Sequence, residues 1–390
     1  MKILQICPHY VPAYSLGGPL QVAHNLGKAL HQQGNEVTVV TTNIASEHHD
    51  LDVAIDQPID VDGITVYYEP TTLLRFFGFS YSLYRRTKIL CNWADVVFVH
   101  FHYQFSNLVG STLARKMNKP YVIFAHGSFN KWGIERKSSI KKKIYLNIFE
   151  RKNLAHASFI AFNAHEEREL SLFSEIGQVV PSGINPRDFS ELPPRGYWRK
   201  KIPELNNKVC FLYLGRLNTR QKGLDLLVPA FARLLHQEPN ISLILAGPDE
   251  RGGEEEIKNM VRELGIEQAV YFTGLVNKEN KLAILNDSDV FVLSSPSEGT
   301  SIALLEAMYM GLPVVTTDRV GLSHRIRKEN CGLVVNRHID QLAEAMRTMM
   351  DDAMRREMGG RARDLVEAEF TWDSIATALN DKIKELARTC

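Results

Sequence analysis

Asp289-Val290-Phe291-Val292-Leu293, followed across a short gap by Glu298-Gly299-Thr300-Ser301-Ile302-Ala303-Leu304-Leu305-Glu306, is the stretch on which the fold turns. The first run is apolar and reads as a strand. In the second, Thr300 or Ser301 is placed to cap a helix that Gly311 and Pro313 close. The opening amides of residues 299 to 302 have no partner inside such a helix, so they face whatever sits at its mouth and favour an anion there. Glu298 falls on the loop and Glu306 inside the helix. With a diphosphate at the mouth, Glu298 can accept hydrogen bonds from sugar hydroxyls and Glu306 from a ribose diol. The arrangement suggests a nucleotide-sugar site, although either glutamate taken alone would read as a solvated surface residue.

The sequence upstream supplies the matching positive charge. Val209-Cys210-Phe211-Leu212-Tyr213-Leu214 is a compact apolar strand that ends in Gly215-Arg216-Leu217, then Gln221-Lys222-Gly223-Leu224-Asp225 and a helix. Arg216 can bridge two phosphate oxygens with its planar fork, and Lys222 adds a point charge on a flexible stem. Beside the helix mouth and the two carboxylates, this pair becomes a phosphate clamp.

Strand-like runs alternate with amphipathic segments on both sides of this stretch. Residues 2–7 read as β, 19–33 as α and 36–41 as β after the stop at Gly34-Asn35, which makes a βαβ unit. The pattern continues through 95–99 (β), about 106–117 (α), 121–125 (β), a long basic helix at about 138–155, and 159–162 (β). Periodicity lapses through the Pro-, Arg- and Lys-rich stretch 185–208, which sets a domain boundary. A second series follows: strands at 209–214, 241–246, 270–272, 289–293 and 313–316 alternate with helices at 223–237, 254–264, 278–286 and 301–310. Runs of this kind suit parallel strands buried on both faces. The expectation is an α/β protein of two Rossmann-like doubly wound domains, 1–185 and 186–370, facing across a cleft at the carboxyl ends of their strands. A C-terminal helix at about 371–390 is expected to return to the first domain.

Composition narrows the class. The 390 residues are 44% hydrophobic and 23% charged, with a formal net charge of +1. That balance gives no reason to expect a nucleic-acid partner. The five cysteines, Cys7, Cys91, Cys210, Cys331 and Cys390, are scattered without CxxC or CxxH spacing, so neither a disulfide framework nor a zinc site is indicated. The chain begins directly on the strand at Lys2 without a basic-then-apolar leader, and no apolar stretch approaches 18 residues. A cytoplasmic protein is expected.

In this order the motifs are specific. Gly17-Gly18 directly after the first strand, His126-Gly127 after the strand at 121–125, Gly183-Ile184-Asn185 at the linker, Gly215-Arg216 with Lys222-Gly223, Ala246-Gly247, and Glu298 with Glu306 together resemble the retaining glycosyltransferases of the GT-B fold, family 4 or glycosyl transferases group 1. Ser182 stands where many relatives carry asparagine. The resemblance implies that Arg216 and Lys222 hold the donor diphosphate, Glu306 the ribose, and Glu298 the hexose hydroxyls. It also implies that the amides of Gly299, Thr300, Ser301 and Ile302 complete the cradle, and that backbone near Gly274-Leu275-Val276 meets the base. Gly17 and Gly18 would form a glycine loop that approaches the phosphates, and His126 would face the donor sugar as the catalytic candidate with Glu298. The donor would be a UDP- or GDP-sugar, with no cofactor and no metal.

Three Asp-x-Asp triplets bear on the metal question. Asp287-Ser288-Asp289 falls at a helix end before a strand and reads as a cap; Asp50-Leu51-Asp52 and Asp60-Val61-Asp62 read as loops without a phosphate-binding companion. For the acceptor, residues 131–152 carry eight cations against Glu135 and Glu150, with Trp132 and several isoleucines interspersed. A second aromatic cluster, Arg75-Phe76-Phe77-Gly78-Phe79-Ser80-Tyr81, is flanked by Arg85-Arg86. Either could rest on an anionic membrane beside a lipid-linked acceptor, or be a solvated face. The family setting favours a glycan or lipid-linked acceptor in polysaccharide or glycoconjugate assembly. A dehydrogenase is excluded by the lack of a G-x-G-x-x-G turn after a strand. A GT-B epimerase or phosphorylase, or a sugar-binding scaffold, remains as the alternative.

Overall fold

The computed structural model describes residues 1–46, 48–126, 145, 149–164 and 174–389. They form two compact units: Met1–Ser182 with Trp372–Cys390, and Gly183–Thr371. Each is a doubly wound α/β unit.

The first unit holds eight strands: β1 Lys2–Ile6, β2 Glu36–Thr42, β3 Pro58–Val61, β4 Ile64–Glu69, β5 Val96–His100, β6 Tyr121–Phe124, β7 Phe159–Phe162 and β8 Gly177–Val179. Their order is β3-β4-β2-β1-β5-β6-β7-β8, parallel throughout except for the β3–β4 hairpin. Alternate residues point to opposite faces, and both faces are covered. Ile3, Val96 and Phe98 belong to one buried cluster, whereas Leu4, Val97 and Val99 belong to the other. That double burial is why these strands appear in the sequence as unbroken apolar runs. The helix Trp372–Thr389 closes the unit, burying Trp372, Ile375, Ala376, Leu379 and Ile383 in the first cluster. Gln33, just after the helix Pro19–Gln32, donates to Asp373 O (3.0 Å) and Thr377 Oγ1 (2.8 Å) on it.

The second unit is a wholly parallel six-stranded sheet ordered β11-β10-β9-β12-β13-β14, from β9 Val209–Leu214, β10 Ile241–Ala246, β11 Val270–Gly274, β12 Val290–Leu293, β13 Val314–Thr317 and β14 Gly332–Val335. The chain winds outward from β9 to β11, returns to the centre, and winds the other way from β12 to β14. β9 and β12 are therefore neighbours at the switch point, where the loops from their carboxyl ends diverge and leave a crevice.

Several elements depart from the sequence reading. Asp60-Val61-Asp62 is part of the β3–β4 hairpin rather than a loop: Asp62 and Gly63 both have positive φ (57° and 84°), the conformation of a two-residue primed turn. Asp62 binds His24 (3.1 Å) and Lys28 (2.9 Å), and Asp50 binds Arg75 (2.6 Å), so both acids serve local ion pairs. The aromatic run at 75–81 leads into a helix, Tyr81–Trp93, capped by Ser80. The linker stretch holds short helices at Pro186–Phe189, Tyr197–Lys201 and Pro203–Leu205. Of the long basic helix expected at about 138–155, Arg151–Ala155 is helical; Gly127 and most of 131–148 lie outside the described residues.

Asp287-Ser288-Asp289 is structural, and the helix that Asp287 caps is not its own. Its buried carboxylate accepts from the amides of Gly196 and Trp198 (2.6 Å), fixing the start of Tyr197–Lys201. Asp289 accepts from the Cys210 amide (2.8 Å) and from Arg199 (3.1 Å). Replacing Asp287 by alanine strands two amides, and urea denaturation should show a loss of about 2 kcal/mol. Under the structural role, donor affinity per folded molecule stays unchanged.

Candidate functional site

The site of the second unit is built where loops leave the carboxyl ends of β9, β10, β11 and β12. Two close backbone approaches fix it. Gly223, at φ +71°, lies so near β12's exit that a Cβ would stand 2.0 Å from Ser294 O. Ser294 Oγ donates to Gly223 O (2.8 Å), locking the turn before the helix Leu224–Leu235 against the strand end. Gly247, at φ +143°, would place a Cβ 1.9 Å from Gly215 O, so the loops after β9 and β10 touch through backbone. The Gly247 amide in turn donates to Gly274 O (3.0 Å), tying in the end of β11.

Those contacts place the charges. Lys222 precedes Gly223, and its Nζ reaches Glu298 Oε2 at 2.7 Å, with both side chains mostly covered. Glu298 is held by its own backbone: its amide donates to Arg319 O (3.2 Å) and its carbonyl accepts from Gly321 (2.9 Å). Arg216 turns to Glu250, which also accepts from Asn218 Nδ2 (3.1 Å), and the Tyr213 hydroxyl donates to Arg216 O (2.9 Å). Asn218 braces the turn from the other side, accepting from Gln221 N (2.9 Å) and Lys222 N (3.0 Å).

Ser301 is the cap of the helix Ile302–Tyr309, accepting from Leu304 N (3.4 Å), and Gly311 leaves the helix with φ +78°. Gly299 and Thr300 lead into the cap, so the helix mouth opens beside Glu298. One turn further, Glu306 is nearly buried and binds Lys281 Nζ at 2.5 Å. Burial raises the Glu306 pKa, and the ammonium of Lys281 opposes it. Gly274, Leu275 and Val276 stand at the carboxyl end of β11; Leu275 is exposed, and Val276 packs on the core.

The first unit gathers the remaining candidates at its own strand ends. Residues 7–16 intervene between β1 and Gly17-Gly18, so the pair opens the helix Pro19–Gln32 instead of directly following the strand. Gly17 has φ +110°, and a Cβ on Gly18 would meet open space. His126 leaves β6 with φ +45°, a left-handed conformation that costs on the order of 1 kcal/mol in a non-glycine residue. Burial holds its imidazole down at about 4. Its Nε2 lies 3.1 Å from Nδ1 of His100.

Sequence reasoning missed Glu250, Asn218, Lys281 and His100. Glu250 and Lys281 are the direct partners of Arg216 and Glu306, but those pairings span 34 and 25 residues and have no local signature; Asn218 acts locally, on the amides of Gln221 and Lys222. His100 carried a signal in its position at the end of an apolar strand, as His126 did.

The family model for glycosyl transferases group 1 matches residues 195–365, and that for Glycosyltransferase Family 4 matches residues 16–188. The chain is 26% identical to the D-inositol 3-phosphate glycosyltransferase of Corynebacterium aurimucosum across 98% of this chain and 95% of that one. Among solved structures, sucrose-phosphate synthase from Thermosynechococcus elongatus aligns over the whole of both chains with a TM-score of 0.75 at 20% identity. The Anabaena protein HepE in complex with UDP-glucose aligns over both full chains with a TM-score of 0.68 at 18% identity. The chain is a glycosyltransferase of the GT-B fold and belongs to family 4 of that class.

Glu306 gives the site a pH signature. Its folded pKa is raised, so the stability it contributes is present below the ordinary glutamate range and disappears as pH rises through the folded value. Lys281→Met removes the opposing ammonium. The Glu306 carboxyl should then titrate higher still in a 13C NMR titration, and the variant should be less stable than the wild type at neutral pH.

Proposed function

We propose that the protein is a retaining, metal-independent hexosyltransferase that moves a sugar from a UDP- or GDP-sugar to a hydroxyl of a glycan, lipid-linked or small-molecule acceptor. The observation that carries this reading is the Lys222–Glu298 pair at the β9–β12 switch point, with Arg216 beside it and a helix mouth adjoining. A diphosphate arriving there takes Lys222 from Glu298 and Arg216 from Glu250. Glu298 is then released to accept from the hexose hydroxyls, while Glu306, held by Lys281, accepts from the ribose diol. The amides of Gly299, Thr300, Ser301 and Ile302 face the phosphate, and backbone at Gly274-Leu275-Val276 meets the base. HepE, solved in complex with UDP-glucose, supports a uridine donor as the first to test.

In the reaction the bond between the anomeric carbon and the phosphate oxygen breaks, and a bond to the acceptor oxygen forms on the same face. The acceptor proton passes to the departing phosphate. The protein's work is positioning and stabilising the developing diphosphate charge, which Arg216, Lys222 and the helix amides supply without a metal or other cofactor. By the family resemblance, His126 and the glycine loop of Gly17 and Gly18 are the first unit's candidates for the same reaction.

The proposed setting is the cytoplasmic face of a membrane, in surface polysaccharide or glycoconjugate assembly. The first unit exposes Phe76 (96%), Leu74 (72%), Leu73 and Tyr81, near Arg85 and Lys88 on a helix that has no acidic residue. Such a surface suits anionic lipid and so a lipid-linked acceptor.

Thermal unfolding in EDTA with UDP, GDP, ADP and their hexose conjugates tests the donor site. One nucleotide series should stabilise the protein, by about 2.7 kcal/mol at a hundredfold excess over Kd. Lys222→Ala and Glu306→Ala should each weaken that binding roughly 10- to 100-fold. A folded protein with no shift for any donor contradicts the reading. Product analysis with acceptor present should show an anomeric configuration unchanged from the donor's.

A further inference from the structure

β9 is bonded to β10 on one side and to β12 on the other, and every side chain from Cys210 to Leu214 is buried. Tyr213 alone among them carries a hydroxyl, where phenylalanine would fill the same space with no polar group to satisfy. The loop that follows is shaped to receive it. A Cβ on Gly215 would stand 2.8 Å from the Tyr213 hydroxyl oxygen and 3.2 Å from Cζ, so the bare residue leaves the phenol room to reach Arg216. The residues flanking Arg216 are tied to the loop after β10 through backbone: the Gly215 amide donates to Ala246 O (2.9 Å) and the Leu217 amide to Pro248 O (2.8 Å). Arg216 O has no such partner on a neighbouring strand. It accepts instead from the Asn218 amide (3.0 Å), two residues on, and from the Tyr213 hydroxyl (2.9 Å), which occupies both of its lone pairs.

The direction of that bond is fixed by chemistry. A carbonyl can only accept, so the phenol must donate. Burial raises the Tyr213 pKa, and the Glu298 carboxylate is the next cause of the rise, so the phenol keeps its proton and lies close to the Lys222–Glu298 pair. At the other end of Arg216 the guanidinium rests on Glu250, which Asn218 Nδ2 holds in turn at 3.1 Å. Arg216 is thus gripped at its carbonyl and at its tip, while its side chain stays half-exposed. The grip at the tip is the one a diphosphate would replace. The grip at the carbonyl stays in place with or without ligand.

We propose that Tyr213 is a positioning residue for Arg216: its hydroxyl holds the Arg216 carbonyl so that the guanidinium is aimed at the diphosphate of the donor. Tyr213 is fully buried and itself touches no substrate. The aim at a diphosphate rests on the proposed glycosyl transfer; the hold on Arg216 does not, and the two are tested separately.

The experiment begins with 15N relaxation of the Arg216 Nε–H in full-length protein without ligand, the signal being assigned by its loss in Arg216→Met. The wild type should show restricted motion there, and Tyr213→Phe, whose ring fills the same space, should show more. An Arg216 signal equally restrained in folded Tyr213→Phe overturns the proposal outright, whatever the substrate proves to be. Calorimetric titration with UDP and with GDP forms the second arm. Tyr213→Phe should bind the preferred diphosphate roughly 3- to 10-fold more weakly than the wild type. Made in Arg216→Met, the same change should cost no further affinity; made in Lys222→Ala, it should cost as much as in the wild type. A loss that persists in both backgrounds would mean that the hydroxyl only supports the fold of the site, and would overturn the proposal. If neither diphosphate binds the wild type better than Arg216→Met while the relaxation result holds, the donor-site reading fails and the hold on Arg216 stands.

Discussion

Lys222 and Glu298 are joined because two backbone segments meet with nothing between them. The turn at Gly223 lies against the carbonyl of Ser294, so any side chain there would force the helix Leu224–Leu235 away from the end of β12. That single approach sets the distance from the cation on one loop to the carboxylate on the next. Gly247 against Gly215 repeats the device one strand further out, which keeps the Arg216 loop in place. The site depends on these contacts more than on any one charged residue, since they decide where the charges stand.

Each cation of the site rests on a carboxylate: Lys222 on Glu298, Arg216 on Glu250 and Lys281 on Glu306. Partly buried pairs of this kind add little net stability, because desolvation offsets most of the attraction. Their value lies in keeping long side chains aimed and charged in the absence of ligand. A diphosphate carries more charge than one carboxylate and several acceptor oxygens, so it can exchange with Glu298 and Glu250 without leaving Lys222 or Arg216 unpaired.

Much of the second unit could be read from sequence because its strands are buried on both faces and so stand out as apolar runs between helices. The helix start at Ser301 was legible for a similar reason, since capping is decided by neighbours in the chain. Less legible was whatever depends on the hairpin or on distance. Asp62-Gly63 was hidden in a triplet with the form of a metal motif, and its turn is visible only once Val61 and Ile64 are seen to pair. The helix Tyr81–Trp93 buries only Leu83, Thr87 and Cys91, a sparse stripe beneath an aromatic, basic exterior that masked its period. The partnership of Lys281 with Glu306, and that of His100 with His126, arise from parallel crossovers and leave no trace in local spacing.

The central claim is that Glu298 and the donor phosphates compete for Lys222. Calorimetric titration of UDP and of the matching UDP-sugar, in EDTA, against the wild type and Glu298→Gln tests it directly. If the exchange is as described, the variant binds UDP at least as tightly as the wild type and loses the extra affinity contributed by the sugar. Loss of UDP binding itself in a folded Glu298→Gln protein would contradict it, because Glu298 would then be supporting the phosphate site and not yielding to it.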